Sequence, residues 1–180
     1  MNLTRWAIFP GVVVSCLILV LLTGLISQPT TNAAASSLQL SGDCAIKTSY
    51  PAAVRQWCPL IERDATQQNL DPNLVAAVIL EESGGDPQAY SKSGAVGLMQ
   101  VMPNDGIAAG FVCDGHPCFT ARPSTAQLLD PEFNIDYGTR LLGSLVQHNG
   151  SLRDALKAYG PINVGYTYAD AVLSILTHYQ

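Results

Sequence analysis

The sequence predicts an all-α fold, a single globular helical domain, on three observations. Apolar residues recur at helical spacing through residues 51–69, 72–82 and 131–148. Two of these runs open on the same dipeptide, Asp71-Pro72 and Asp130-Pro131, in which the aspartate is a good N-cap and the proline takes the first helical position, where its missing N–H costs nothing. Strand-type alternation is scarce along the whole chain.

The first stretch is of another kind. A composition of 48% hydrophobic and 13% charged positions implies one globular domain plus an apolar segment, and Trp6 to Ile26, preceded by Arg5, carries no charge. The run exceeds the roughly 7–15 residues of a signal-peptide core and is long enough to span a bilayer, while Ala33-Ala34-Ala35 offers a small-residue cleavage site. Residues 1–35 therefore read as a signal peptide or as an uncleaved membrane anchor, both with the N-terminus inside and the rest of the chain exported. Residues 36–42 have linker composition, and the domain is expected over residues 43–180. A chain of that size buries roughly two-thirds of its unfolded surface in one core.

Of five cysteines, Cys16 falls in the apolar run. The other four, Cys44, Cys58, Cys113 and Cys118, suit disulfides in an oxidising compartment; three pairings are open, and closeness in sequence favours Cys44 with Cys58 and Cys113 with Cys118. Cys113, His116 and Cys118 would also suit zinc, but a fourth ligand is not evident, so no metal and no cofactor is expected. The net charge of −5 falls further once Arg5 is removed with the leader. With no basic stripe interleaved with aromatics, this is not a nucleic-acid binder.

Within the domain, residues 51–69 read as a helix whose apolar face holds Ala53, Val54, Trp57, Leu60, Ile61 and Ala65. Asp71-Pro72 opens the next helix, apolar almost all round, and Gly84-Gly85 stops it. Glu81 and Glu82 lie in its last turn, against the negative pole of the helix, where a carboxyl group keeps its proton more readily; a general acid needs that property. Both continue apolar stripes, so periodicity does not choose between them, and a Glu at a helix end is more often solvated surface.

The segment that follows decides. From Glu82 to Pro103 the chain reads E-S-G-G-x-P-x-A-x-S-x-x-G-A-x-G-L-M-Q-x-M-P, a small-residue turn expected to lead into a short helix that stops at Pro103. This pattern resembles the core of the soluble lytic transglycosylase (SLT) domain, a relative of goose-type lysozyme. The resemblance implies that Glu82 is the single catalytic acid and that Ser91, Gln100 and Met102 line a sugar cleft, with Ser83 and Gln100 beside the acid. Glu81 is then the ordinary surface residue.

Asn104 to Ser124 is the least regular part, rich in Gly and Pro, with Phe111 and Phe119 as candidates either for sugar stacking or for anchoring the loop. A loop of this length stapled by a bridge reads as a lip of the cleft, and the typical family domain is shorter here. Asp130-Pro131 then opens a helix that Asn149-Gly150 ends after His148, and Ser151 with Asp154 resembles a capping box for a helix over residues 152–159. The stretch D-P-E-F-N-I-D-Y-G-T-R-L-L again resembles the family, with Asn134 bracing a loop. So do Ala158-Tyr159-Gly160 and Tyr168 to Leu173, in which Tyr159 and Tyr168 are implied to face the acid. One departure is plain: where the family usually continues Ala-Tyr with Asn, this chain has Gly160, and an amide near the acid is absent or comes from Asn163.

The resemblance spans Asp71 to about Leu176 and implies a fold of the lysozyme-like superfamily, nominally α+β, acting on the β-1,4 bond between N-acetylmuramic acid and N-acetylglucosamine in peptidoglycan glycan strands. With one acid and no partner carboxylate evident, it implies a lyase giving 1,6-anhydro-muramyl products. A goose-type muramidase that hydrolyses the same bond, or a non-catalytic wall-binding module, are the alternatives. The place of action would be the cell envelope or the exterior, with a membrane contact through residues 6–26 if the leader stays.

Overall fold

Residues 44–179 are described in the computed structural model, and the expected leader and linker lie outside them. The helix expected over residues 51–69 forms as two pieces, α1 (Ala52–Arg55) and α2 (Cys58–Gln67). Pro59 is the cause: it has no N–H to give the Arg55 carbonyl, and its ring crowds that carbonyl. The chain turns tightly there instead, with the Trp57 N–H on Val54 O at 3.1 Å.

The central helix, α3 (Pro72–Ser83), begins at Asp71, whose carboxylate accepts the Asn73 N–H at 2.8 Å. Val75, Ala76, Ala77, Val78 and Ile79 are fully buried. A helix apolar all round needs cover all round, and α1 and α2 supply part of it.

The short helix expected before Pro103 does not form. Gly97 (φ 77°) and Gln100 (φ 44°) sit in the left-handed region, which a right-handed helix cannot pass through. A tight turn replaces it, flanked by reciprocal bonds between Val96 and Val101 at 3.0 and 3.1 Å.

The irregular stretch holds more order than its composition announces. After a 3-10 turn at Gly106–Gly110, β1 (Val112–Cys113) pairs antiparallel with β2 (His116–Pro117). Asp114 (φ 50°) and Gly115 (φ 81°) make the two-residue turn between them, the geometry that Asp-Gly favours. The Cys113–Cys118 bridge closes this hairpin, and Cys44–Cys58 ties the start of the described chain to α2, so both expected pairings are present. Neither thiol of the loop is left for zinc. Phe111 and Phe119 meet edge to face at 6.1 Å, with Phe111 exposed. A second element not expected from the sequence, α4 (Thr125–Leu128), starts on a capping box between Ser124 and Gln127. Asp105 holds the loop to it by accepting the Thr125 N–H at 2.9 Å.

Helices α5 (Pro131–His148) and α6 (Leu152–Tyr159) follow expectation, and α7 (Thr167–Tyr179) carries Tyr168 in its first turn. The Asp130 carboxylate accepts the Phe133 N–H at 2.9 Å, and Ser151 Oγ accepts that of Asp154 at 3.1 Å. α7 lies along α3, and α6 joins α5 to α7. The connection between α6 and α7 is clamped by Arg153, which donates to both oxygens of Asp170 at 2.7 and 2.8 Å, and by Tyr166, whose hydroxyl donates to Asp154 at 2.7 Å. At the far end of α7, the ring of Tyr179 stacks on Tyr50 at 4.5 Å, the Tyr50 hydroxyl donates to Asn73 O, and Ser49 Oγ donates to Tyr179 O. Among the described residues no helix is long and apolar enough to cross a membrane.

Candidate active site

Glu82 stands in the last turn of α3, and the chain beyond it is folded so that the helix end becomes the floor of a site. Gly84 (φ 64°) caps α3 by giving its N–H to Leu80 O at 3.1 Å. Gly85 then passes under α1: a Cβ there would lie 2.3 Å from Ala53 O, and Trp57 Nε1 donates to Gly85 O at 3.0 Å. Only glycine allows so close an approach at φ 92°.

Opposite lies the 96–101 turn, held from beneath by one side chain. Asn134, fully buried on α5, accepts the Met99 N–H at 2.8 Å and donates to Val96 O at 2.9 Å and Leu128 O at 2.8 Å. Two backbone groups of the buried turn and one of α4 thereby find a partner in a single amide, in keeping with the bracing role expected for it. Ser83 Oγ donates to Leu98 O at 2.8 Å and accepts the Gly85 N–H at 3.2 Å, so the acid's neighbour joins the helix end to the turn. Gln100 Nε2 donates to Ala89 O at 3.1 Å and Gly97 O at 3.0 Å. Ser91 Oγ accepts the Ala95 N–H at 2.9 Å, and Met102 is half-buried at the end of the turn. Ser83, Ser91 and Gln100 thus all spend polar groups on the backbone of this segment.

The third wall is aromatic. The Tyr159 hydroxyl, from the end of α6, donates to Met99 O at 2.9 Å, and its ring stacks on that of Tyr168 from α7 at 6.4 Å between centroids. The Tyr168 hydroxyl is buried with no hydrogen-bond partner in good geometry, and it lies close enough to Glu82 to draw that carboxyl's pKa down. Both phenols are themselves pushed well up, by burial first and by the Glu82 charge second, so both stay neutral donors. Asn163 is exposed on the clamped loop, in a left-handed conformation.

Burial dominates the acid. The Glu82 carboxyl is pushed up to about 7, chiefly because its charged form is desolvated; the Tyr168 hydroxyl opposes this, and the Glu81 charge adds to it. The negative helix pole acts in the same direction, but burial leads. Glu81 itself is exposed. No second carboxylate serves as a partner among the described residues: Asp86 caps the next turn by accepting the Gln88 N–H at 2.8 Å, and Asp105 is taken up by Thr125. What the fold assembles is one proton-holding carboxyl poised near neutrality, walled by a rigid backbone turn and two neutral phenols. Such a carboxyl can both give and take a proton near neutral pH.

The chain belongs to the transglycosylase SLT domain family, which matches residues 59–167. The endo-type membrane-bound lytic murein transglycosylase A of Citrobacter koseri is 42% identical over 97 residues, covering 54% of this chain and 45% of that protein. Its counterpart in Klebsiella pneumoniae is 40% identical over the same length and share. The chain spans about half the length of the curated relatives it matches. Among solved structures, an inactive glutamate-to-glutamine mutant of the lytic transglycosylase Slt from Pseudomonas aeruginosa aligns with a TM-score of 0.54 at 26% identity, over 72% of this chain and 24% of that one. The fold is therefore the lysozyme-like one of this family, mostly helical with a small hairpin.

Sequence reasoning missed Trp57, whose indole fixes Gly85, and it treated Gly160 only as a departure from a pattern. The indole had no signal of its own, since at helical spacing it reads as core. Gly160 had one, a glycine where an amide is usual.

Proposed function

We propose that this chain is a lytic murein transglycosylase that cleaves the β-1,4 bond between N-acetylmuramic acid and N-acetylglucosamine in peptidoglycan. The observation that carries the reading is the Glu82 carboxyl, pushed up to about 7 by burial, while Glu81 next to it is exposed and Asp86 and Asp105 are taken up by other groups. Most glycosidases use two carboxylates, and a site with one must draw its second group from the substrate. Protonated Glu82 gives its proton to the glycosidic oxygen as the bond to the anomeric carbon breaks, and the substrate's acetamido oxygen supports the positive centre. Glu82, now a carboxylate, takes the proton of the C6 hydroxyl, whose oxygen closes onto the anomeric carbon. The product is a 1,6-anhydro sugar and the acid returns to its starting form. Ser91, Gln100 and Met102 would line the glycan path, Ser83 would steady the helix end, and Tyr159 and Tyr168 would hold the sugar against the acid.

Export fits this reading: two disulfides require an oxidising compartment. Residues 1–35 would serve as the signal or anchor. The curated relatives are named as membrane-bound enzymes, and for this chain attachment is proposed only through that segment.

The test uses Glu82→Gln and Glu81→Gln on purified cell walls. Cleavage is expected to vanish in the first and to persist in the second; equal activity in both would sink the assignment. Mass spectrometry of the products separates the two chemistries by one water per cut, the anhydro ends being the expected result. Hydrated ends would make the enzyme a muramidase, and no release from intact walls would leave a binding module.

A further inference from the structure

Gly160 follows Tyr159 at the end of α6, and its backbone (φ −71°, ψ −176°) is one that any residue can adopt. Conformation does not call for glycine here, but space does. A Cβ at this position would lie 2.4 Å from Cδ1, 2.5 Å from Cγ and 2.9 Å from Cβ of Tyr168. The Tyr168 ring therefore rests directly on the peptide of residue 160.

Neither side can give way easily. The Gly160 N–H is bonded to Leu156 O at 3.0 Å as the cap of α6. On the other side, the Asp170 N–H bonds Tyr166 O at 2.9 Å, and Arg153 grips the Asp170 carboxylate across the gap. The Tyr168 ring also stacks with Tyr159, which is itself pinned to Met99 O.

We infer that Gly160 is a positioning residue for the acid: its missing side chain is the seat that lets Tyr168 press its hydroxyl toward the Glu82 carboxyl. The inference rests on the catalytic role proposed for Glu82. A side chain at 160 would push the ring outward, taking the hydroxyl from the carboxyl and opening that wall to water, while Ser91 and Met102, proposed to line the glycan path, are untouched.

The experiment compares Gly160→Ala in two backgrounds of the full chain, wild type and Tyr168→Ala, with kcat and KM measured on soluble glycan strands. In the wild-type background kcat is expected to fall roughly 10- to 100-fold, the scale of an ångström-sized misplacement, with KM changed by less than about threefold. In the Tyr168→Ala background the two shortest contacts are gone, and the same glycine substitution is expected to cost less than about threefold. Thermal melts show whether each variant is folded; a Gly160→Ala chain that unfolds, yet folds once Tyr168 is Ala, supports the same seat. An equal loss in both backgrounds, or no loss in wild type, overturns the inference. Activity surviving in Glu82→Gln would remove the functional reading instead, an outcome that these glycine variants do not share.

Discussion

A carboxyl group held near neutrality leaves a mark on stability as well as on rate. Because the folded protein binds the Glu82 proton more tightly than the unfolded chain does, stability is lost as pH rises from the ordinary value of 4.5 through about 7. At about 1.36 kcal/mol per unit of pKa, the loss amounts to roughly 3 kcal/mol once the group is ionised in both states. Glu82→Gln cannot ionise. Urea unfolding should therefore find it close to wild type near about pH 4 and more stable near about pH 8, by up to that amount. A constant difference between the two pH values would mean that burial does not govern this group. The choice of Glu82 over Glu81 illustrates what a sequence holds back. Both continue apolar rows of α3, and what separates them is Tyr168, brought by α7 from the end of the chain to cover only one of the two.

At the scale of elements, the site depends on a turn that has no regular structure of its own. Asn134 supplies three hydrogen bonds to Val96, Met99 and Leu128, and Asn134→Ala would strand the Met99 N–H and Leu128 O, while Val96 O keeps the Val101 N–H. At about 1–3 kcal/mol for each of these two groups, partly relieved by relaxation, the expected destabilisation is roughly 2–4 kcal/mol. Chemical denaturation measures it, and a change of less than about 1 kcal/mol would show that the turn holds itself. Helices with a proper start were legible, since Asp71-Pro72, Asp130-Pro131 and Ser151 each carry their cap in the sequence. Errors fell where one residue outweighed a pattern. Pro59 splits an unbroken apolar face, Gly97 and Gln100 turn a short apolar run away from helix, and Asp114-Gly115 makes a hairpin between segments too short to show alternation. The carry-over of Ser83, Ser91, Gln100, Met102, Tyr159 and Tyr168 relied on resemblance. Spacing alone does not reveal that residue 83 meets 98, that 159 meets 99, or that 159 and 168 stack.

Over the whole molecule, the two bridges answer to different demands. Cys44–Cys58 joins residues 14 apart and anchors the chain ahead of α1 through the buried Cys58. Replacing both by Ser should cost on the order of 3 kcal/mol with activity intact. Cys113–Cys118 spans only 5 positions in an exposed hairpin. Its double serine variant should melt within a few degrees of wild type and instead shift KM or glycan-length preference, if the hairpin borders the glycan; a large fall in melting temperature with unchanged kinetics would make it purely structural. A last consequence lies at the opposite edge, where Tyr50 and Ser49 close on Tyr179. The helical bundle from α1 to α7 thus has its two ends at one spot. It behaves as a cassette with a single doorway, so a host protein that offered two adjacent points on a surface loop could carry it inserted mid-chain, with the bundle between α1 and α7 undisturbed.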